Sequence, residues 1–164
     1  MLSKNVLDAM NKQIEMELES AYLYLAMSIR MDEENFKGFA QWLKAQYHEE
    51  LKHAEEFMGF IQSRGFQPTL QDIKVAKYDK TEPLDAARDA YEHECLVSAS
   101  IDKIYYLAKE EKDAASEAFL RHFVEEQVEE EESAQELVDK FSFAGDSPSA
   151  KYMVDCNLAS RGQH

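Results

Sequence analysis

Six polar residues form two sets of three, 77 positions apart: Glu17, Glu50 and His53, then Glu94, Gln127 and Glu130. Each lies on a stripe of mostly apolar residues at helical spacing, where a plain bundle would place hydrocarbon. The first stripe is Met10, Ile14, Glu17, Ala21, Tyr24, Ser28 and Met31. The second is Phe39, Leu43, Gln46, Glu50, His53, Phe57 and Phe60. The third is Ala87, Ala90, Glu94, Val97, Ile101, Ile104 and Ala108. The fourth is Leu120, Phe123, Gln127, Glu130, Ala134, Leu137 and Phe141. Unpaired charge in a core is very costly, so these side chains need a common partner. The shared offset relates two helical hairpins by a pseudo-twofold axis.

The stripes predict helices over about 3–32, 35–64, 84–112 and 114–143, and a short one over 148–159, within a single domain 1–164. Ser3 suits an N-cap and Gly65 a C′ stop. Pro83 suits a first helical position, and Ser147-Pro148 opens the last helix. The short turn at Asp32–Asn35 makes the first two helices antiparallel neighbours. From Phe66 to Glu82 the connection is longer. Extended, it can span roughly 55 Å, while a helix of about 30 residues is roughly 45 Å long. It can therefore cross the whole bundle and start the third helix parallel to the second. The expected fold is all-α: a four-helix bundle with one long crossover between helices 2 and 3, plus a short C-terminal fifth helix. The tail Ser160–His164 is expected to fray.

Five Gly and three Pro in 164 residues are few for a β-rich fold, and 45% hydrophobic residues suffice for a core. The net charge of −15 argues against nucleic acid or an anionic membrane as partner. It suits attraction of cations, and equally an acidic surface kept for solubility. The longest uncharged run, Ser20–Ile29, is too short to span a bilayer. Met1–Val6 has no signal-peptide core, and Cys95 and Cys156 form no C-x-x-C pair. A reduced, cytoplasmic compartment is expected, with both cysteines as packing or bystander residues.

Glu50 and His53 are i, i+3 and share a helix face, as do Gln127 and Glu130. Glu17 and Glu94 enter from the other two helices. Crowded carboxylates repel one another, and two divalent cations would relieve that. Four carboxylates, one imidazole and no thiolate favour Fe, Mn or Mg over structural Zn. A simple allocation places one metal on Glu17, Glu50 and His53. The second takes Glu50, Glu94 and Glu130, with Glu50 bridging and Gln127 as a neutral neighbour or weak ligand. A lone Glu-x-x-His is a weak signal; the common offset strengthens it. Tyr24, two turns beyond Glu17, is either a core tyrosine with a satisfied hydroxyl or a redox-active neighbour of the metals. His48, His93 and His122 fall off the stripes and are expected at the surface. The run Glu125–Glu132 reads as a solvated face. It has a second use: Glu49, Glu126, Glu129 and Glu130 can form a third, weaker, all-oxygen site.

The four-helix pattern with one crossover, Glu17, Tyr24, Glu49-Glu50-x-x-His53, Glu94 and Glu126-Gln127-x-Glu129-Glu130 together resemble the non-haem bacterial and archaeal ferritins. The resemblance covers almost the whole chain. It implies a hollow shell of 24 subunits that stores iron as a ferric mineral, with Fe2+ and either O2 or peroxide as substrates. It implies a di-iron ferroxidase centre of Glu17, Glu50, His53, Glu94, Gln127 and Glu130. It also implies a third iron site at Glu49, Glu126 and Glu129 with Glu130, and Tyr24 beside the centre as an electron donor. Bacterioferritin would instead carry a second Glu-x-x-His at Gln127 and Glu130. Its haem-ligating Met would fall at Leu51, so no haem is expected through that position. Pore residues would fall near Asp113 and Glu117. Two rivals remain at this level. A rubrerythrin-like di-iron enzyme would need a four-Cys module, which the chain lacks. An inert bundle leaves the 77-residue offset unexplained.

Overall fold

A computed structural model describes residues 1–75 and 77–160. Among them are five helices and no strand: α1 (Lys4–Glu33), α2 (Lys37–Ser63), α3 (Pro83–Glu110), α4 (Ala114–Ala144) and α5 (Pro148–Leu158). The expected architecture is the observed one, with ends displaced by up to two residues. The fraying expected of the tail concerns, beyond Ser160, residues outside the described set.

Local chemistry accounts for most boundaries. Ser3 Oγ accepts from the Val6 amide and caps α1. Asp113 caps α4 by accepting from both the amide and the hydroxyl of Ser116. Its carboxylate is buried in that cap, which commits one of the two residues expected near a pore. Pro83 is the first residue of α3. Gly65 ends α2 at φ +83°, a conformation that favours glycine.

The crossover travels along α1. The Thr69 amide donates to Asn11, the Lys74 amide to Glu19, and Arg30 donates to the Tyr78 carbonyl. Tyr78 and Lys80 then both bond to Asp89, near the start of α3. The chain thus leaves one end of the bundle and begins α3 at the other, so α3 runs parallel to α2.

The core is divided in two. One apolar cluster includes Met27, Met31, Phe39, Trp42, Leu43, Leu137 and Phe141. The other includes Met10, Ile14, Phe57, Ile61, Ile101, Leu120 and Phe123. Between them lies a buried polar band of Glu17, Gln46, Glu50, His53, Glu94 and Gln127. Apolar packing at both ends holds this waist in place. One apolar stripe residue differs: Phe60 is half-buried while Ile61 is fully buried. Phe60 instead stacks on Phe119 at 4.2 Å between ring centroids, on the flank of α2 and α4.

Candidate metal centre

Helical phase fixes which side chains reach the waist. Glu17 comes from α1, Glu50 and His53 from adjacent turns of α2, and Glu94 from α3, each at most 1% exposed. Gln127 from α4 is also buried, and Glu130 is half-buried beside it.

Glu17, Glu50 and His53 form one close group, with ligand atoms within 4.8 Å of one another. His53 Nδ1 lies 3.4 Å from Glu50 Oε2 and 3.9 Å from Glu17 Oε2. Both of those carboxylate oxygens are buried with no hydrogen-bond partner of good geometry among the described residues. Donors about 2.1 Å from one cation lie about 3.0–3.4 Å apart at right or tetrahedral angles. The Nδ1 to Glu50 spacing is of that size and the Nδ1 to Glu17 spacing is longer, so the group could hold a divalent ion once Glu17 closes on it. Glu17 is held from behind. Its Oε1 accepts from Gln13 Nε2 at 2.7 Å, and Gln13 Oε1 accepts from Ser100 Oγ at 2.6 Å.

Electrostatics points the same way. Burial first, and the Glu50 charge second, push the Glu17 carboxyl well above the usual range. Burial likewise raises Glu50 well above it, with Glu94, Glu130 and Glu49 adding repulsion. A cation between the two carboxylates would offset both the burial and the repulsion.

The remaining expected ligands are held by the protein itself. Glu94 accepts from the Tyr24 hydroxyl at Oε1 and from Gln127 Nε2 at Oε2, the latter at 3.1 Å. Gln127 also reaches the Glu94 carbonyl and Ser98. Burial brings the Glu94 carboxyl up to about 7. Glu130 Oε2 accepts from Gln46 Nε2 at 2.8 Å. Glu50, Glu94 and Glu130 are therefore in the same waist without forming one close ligand group. A cation bound there would compete with Tyr24, Gln127 and Gln46.

A second close group adjoins the first: Glu49, His53 and Glu126. His53 Nε2 lies 3.0 Å from Glu126 Oε2 and 3.6 Å from Glu49 Oε1. Of the four residues expected at a third site, Glu49 and Glu126 are thus together. Glu129 is exposed and outside the group, and Glu130 turns to Gln46.

Tyr24 is fully buried, and its hydroxyl is satisfied by Glu94. Burial, then the Glu94 charge, raise it well above the usual phenol range. His93 corrects an expectation. It is not a surface residue but packs edge-on to Tyr24 and hydrogen-bonds Ser20 Oγ at 2.7 Å. Burial lowers it to about 4, so the ring is neutral at pH 7. His48 and His122 are exposed, as expected. Sequence reasoning missed Gln13 as a support for Glu17 and did not give Gln46 its role on Glu130. Gln13 stands four residues before Glu17, one turn away on the same face, and that spacing is a usable signal; Gln46 reaches across to another helix, which no local spacing indicates.

Fold and site together define a class: a four-helix bundle with one long crossover and a carboxylate–histidine cluster at its waist. A family model described as "Ferritin-like domain" matches residues 7–144. The chain belongs to the ferritin family. It is 40% identical over 161 residues to a bacterial non-heme ferritin of Bacteroides fragilis, covering 98% of this chain and all of that one. It is 32% identical to a bacterial non-heme ferritin of Staphylococcus aureus, covering 98% and 97%. Among solved structures it is similar to an open pore ferritin from the hyperthermophilic archaeon Archaeoglobus fulgidus. The TM-score is 0.96, with 38% identity and 98% of both chains covered. No helix among the described residues is long and apolar enough to cross a membrane.

Proposed function

We propose that this protein stores iron in the cytoplasm, oxidising Fe2+ at the waist of each subunit and holding the ferric product in a shell of 24 copies. The observation that carries the reading is the Glu17, Glu50 and His53 group, in which Oε2 of each carboxylate is buried without a hydrogen bond among the described residues, in a chain of the ferritin family.

Fe2+ is the substrate. One ion takes Glu17, Glu50 and His53 Nδ1. A second takes Glu50, Glu94 and Glu130, with Gln127 beside it and Glu50 between the two. Each iron gives up one electron. O2 accepts the pair with two protons to become peroxide, or peroxide accepts it with two protons to become two waters. Hard anionic oxygen donors suit the ferric product. Glu17 and Glu50 bind iron in their charged forms, which burial disfavours until the cation arrives. Tyr24 holds Glu94 in place through its hydroxyl. Glu49, Glu126 and Glu129, with Glu130, lead ferric product away from the centre.

Aerobic Fe2+ loading followed by sizing tests this directly. Tens of irons per subunit, eluting with a particle of roughly half a megadalton, support storage in a closed assembly. Two or fewer on a small oligomer would leave a di-iron enzyme or an inert bundle. Glu50→Ala removes the group common to both iron positions, and fast oxidation should fall at least a hundredfold, about 3 kcal/mol of barrier. A variant that oxidises Fe2+ at the parent rate would refute the residue assignment.

A further inference from the structure

His53 has two faces and two pockets. Its Nδ1 points at Glu17 and Glu50, and its Nε2 points at Glu49 and Glu126. The ring is 1% exposed, so water does not serve either nitrogen freely. Nε2 and Glu126 Oε2 are only 3.0 Å apart, yet neither has a hydrogen bond of good geometry among the described residues. That spacing is also close to the roughly 3.0 Å expected for two donors at right angles on one cation. The second pocket therefore offers a buried nitrogen besides its carboxylates.

A neutral imidazole has one lone pair for a metal and one N–H. It can ligate through Nδ1 or through Nε2, but not through both. We propose that His53 is shared between the two adjoining cation sites and that its tautomer couples them. A divalent cation on Glu17, Glu50 and Nδ1 leaves the ring proton on Nε2, on the side of Glu49 and Glu126. The second pocket is reduced to carboxylates and weakened. A cation seated on Glu49, Glu126 and Nε2 moves the proton to Nδ1, where it faces the Glu17 and Glu50 oxygens and opposes binding there. Filling one site thus disfavours the other, beyond the repulsion of two cations. This inference rests on the metal-binding reading above and adds a direction to it: a cation leaving the first site frees the nitrogen that receives it at the second.

Zn2+, which has no redox chemistry, is the probe. The whole assembled protein, free of metal, is titrated by calorimetry, and zinc is located by anomalous diffraction at its absorption edge. In the parent protein, the first zinc should bond Nδ1 with Glu17 and Glu50. At saturation, the second should lie on Glu49 and Glu126 outside bonding distance of Nε2. Glu17→Gln weakens the first site with almost no change of shape. The second pocket should then bind zinc about tenfold more tightly, with a bond to Nε2. Adding His53→Gln should abolish that gain. Unchanged affinity at the second pocket in Glu17→Gln overturns the proposal, as does a zinc there without a bond to Nε2. Zinc on both nitrogens at once in the parent protein also overturns it. Those failures leave the metal-binding reading standing. A parent protein that takes zinc in neither pocket overturns both.

Discussion

Glu94 shows what a single buried carboxyl does to the metal-free protein. Its folded value of about 7 stands well above that of an ordinary glutamate, because burial disfavours the charged form. The folded state therefore holds a proton that the unfolded state releases. Stability from this group is fully present below the unfolded value and is lost as pH rises toward and through about 7. Glu17 and Glu50 shift in the same direction and add to the trend. Metal-free protein should accordingly melt lower at pH 8 than at pH 5.5, and Glu94→Gln should reduce the difference by a few degrees. A melting profile identical in parent and variant would count against the shift. Cation affinity has the opposite slope: these carboxyls must lose protons to bind, so Zn2+ should bind more weakly as pH falls and release protons at pH 7. Which residues face the waist was legible in the sequence, because a helix of fixed period fixes direction. Their pairings were not. Tyr24 with Glu94, and Gln46 with Glu130, depend on side-chain rotamers across different helices. His93 was misplaced because a narrow stripe underestimates the buried arc. Ser20, small and fully buried on α1, lets the shoulder of α3 come close enough to cover that ring.

Element boundaries were read from caps and stops within the sequence, and α2 shows where that reading ends. Phe36 at its N-cap position offers no side-chain hydrogen bond. The cap comes from the far end of the chain: Asp155 on α5 accepts from the amides of Gly38 at 3.1 Å and Phe39 at 2.7 Å. A carboxylate at a helix N-terminus satisfies orphan amides and complements the helix dipole. Nothing local in the sequence indicates a contact between residues 38 and 155. The α5 helix itself was predictable from Ser147-Pro148, but its docking site was not. The close approach also explains glycine at position 38, since a Cβ there would lie 1.8 Å from the Asp155 carbonyl oxygen. Asp155→Ala should cost about 1–2 kcal/mol and raise amide exchange at residues 38 and 39. Gly38→Ala should be worse, because the atom it meets is backbone and the two helices must separate. Zinc binding at the waist should survive Asp155→Ala. If both variants unfold like the parent, α5 is not held by this cap.

At the scale of the whole molecule, excess negative charge and a polar waist enclosed by apolar packing act on the same substrate in different ways. The chain carries 33 acidic against 18 basic residues, and the surplus is spread over solvent-exposed faces such as Glu125, Glu129, Glu132 and Glu136. Such charge raises the local concentration of divalent cations and speeds their arrival, and salt screens it. The waist group lies between two apolar clusters, and buried charges are screened much less. The two contributions should therefore separate with ionic strength. The screening length falls from about 30 Å at 0.01 M salt to about 8 Å at 0.15 M. Between those conditions the initial rate of Fe2+ uptake at low iron should fall several-fold. Zn2+ affinity at Glu17, Glu50 and His53 should change much less. Replacing Glu125, Glu132 and Glu136 by Gln should lower the low-salt rate and flatten its salt dependence, while leaving zinc at the waist unaffected. An uptake rate indifferent to salt would mean that the acidic surface serves solubility. A zinc affinity as salt-sensitive as the uptake rate would mean that the waist is wetter than its burial indicates.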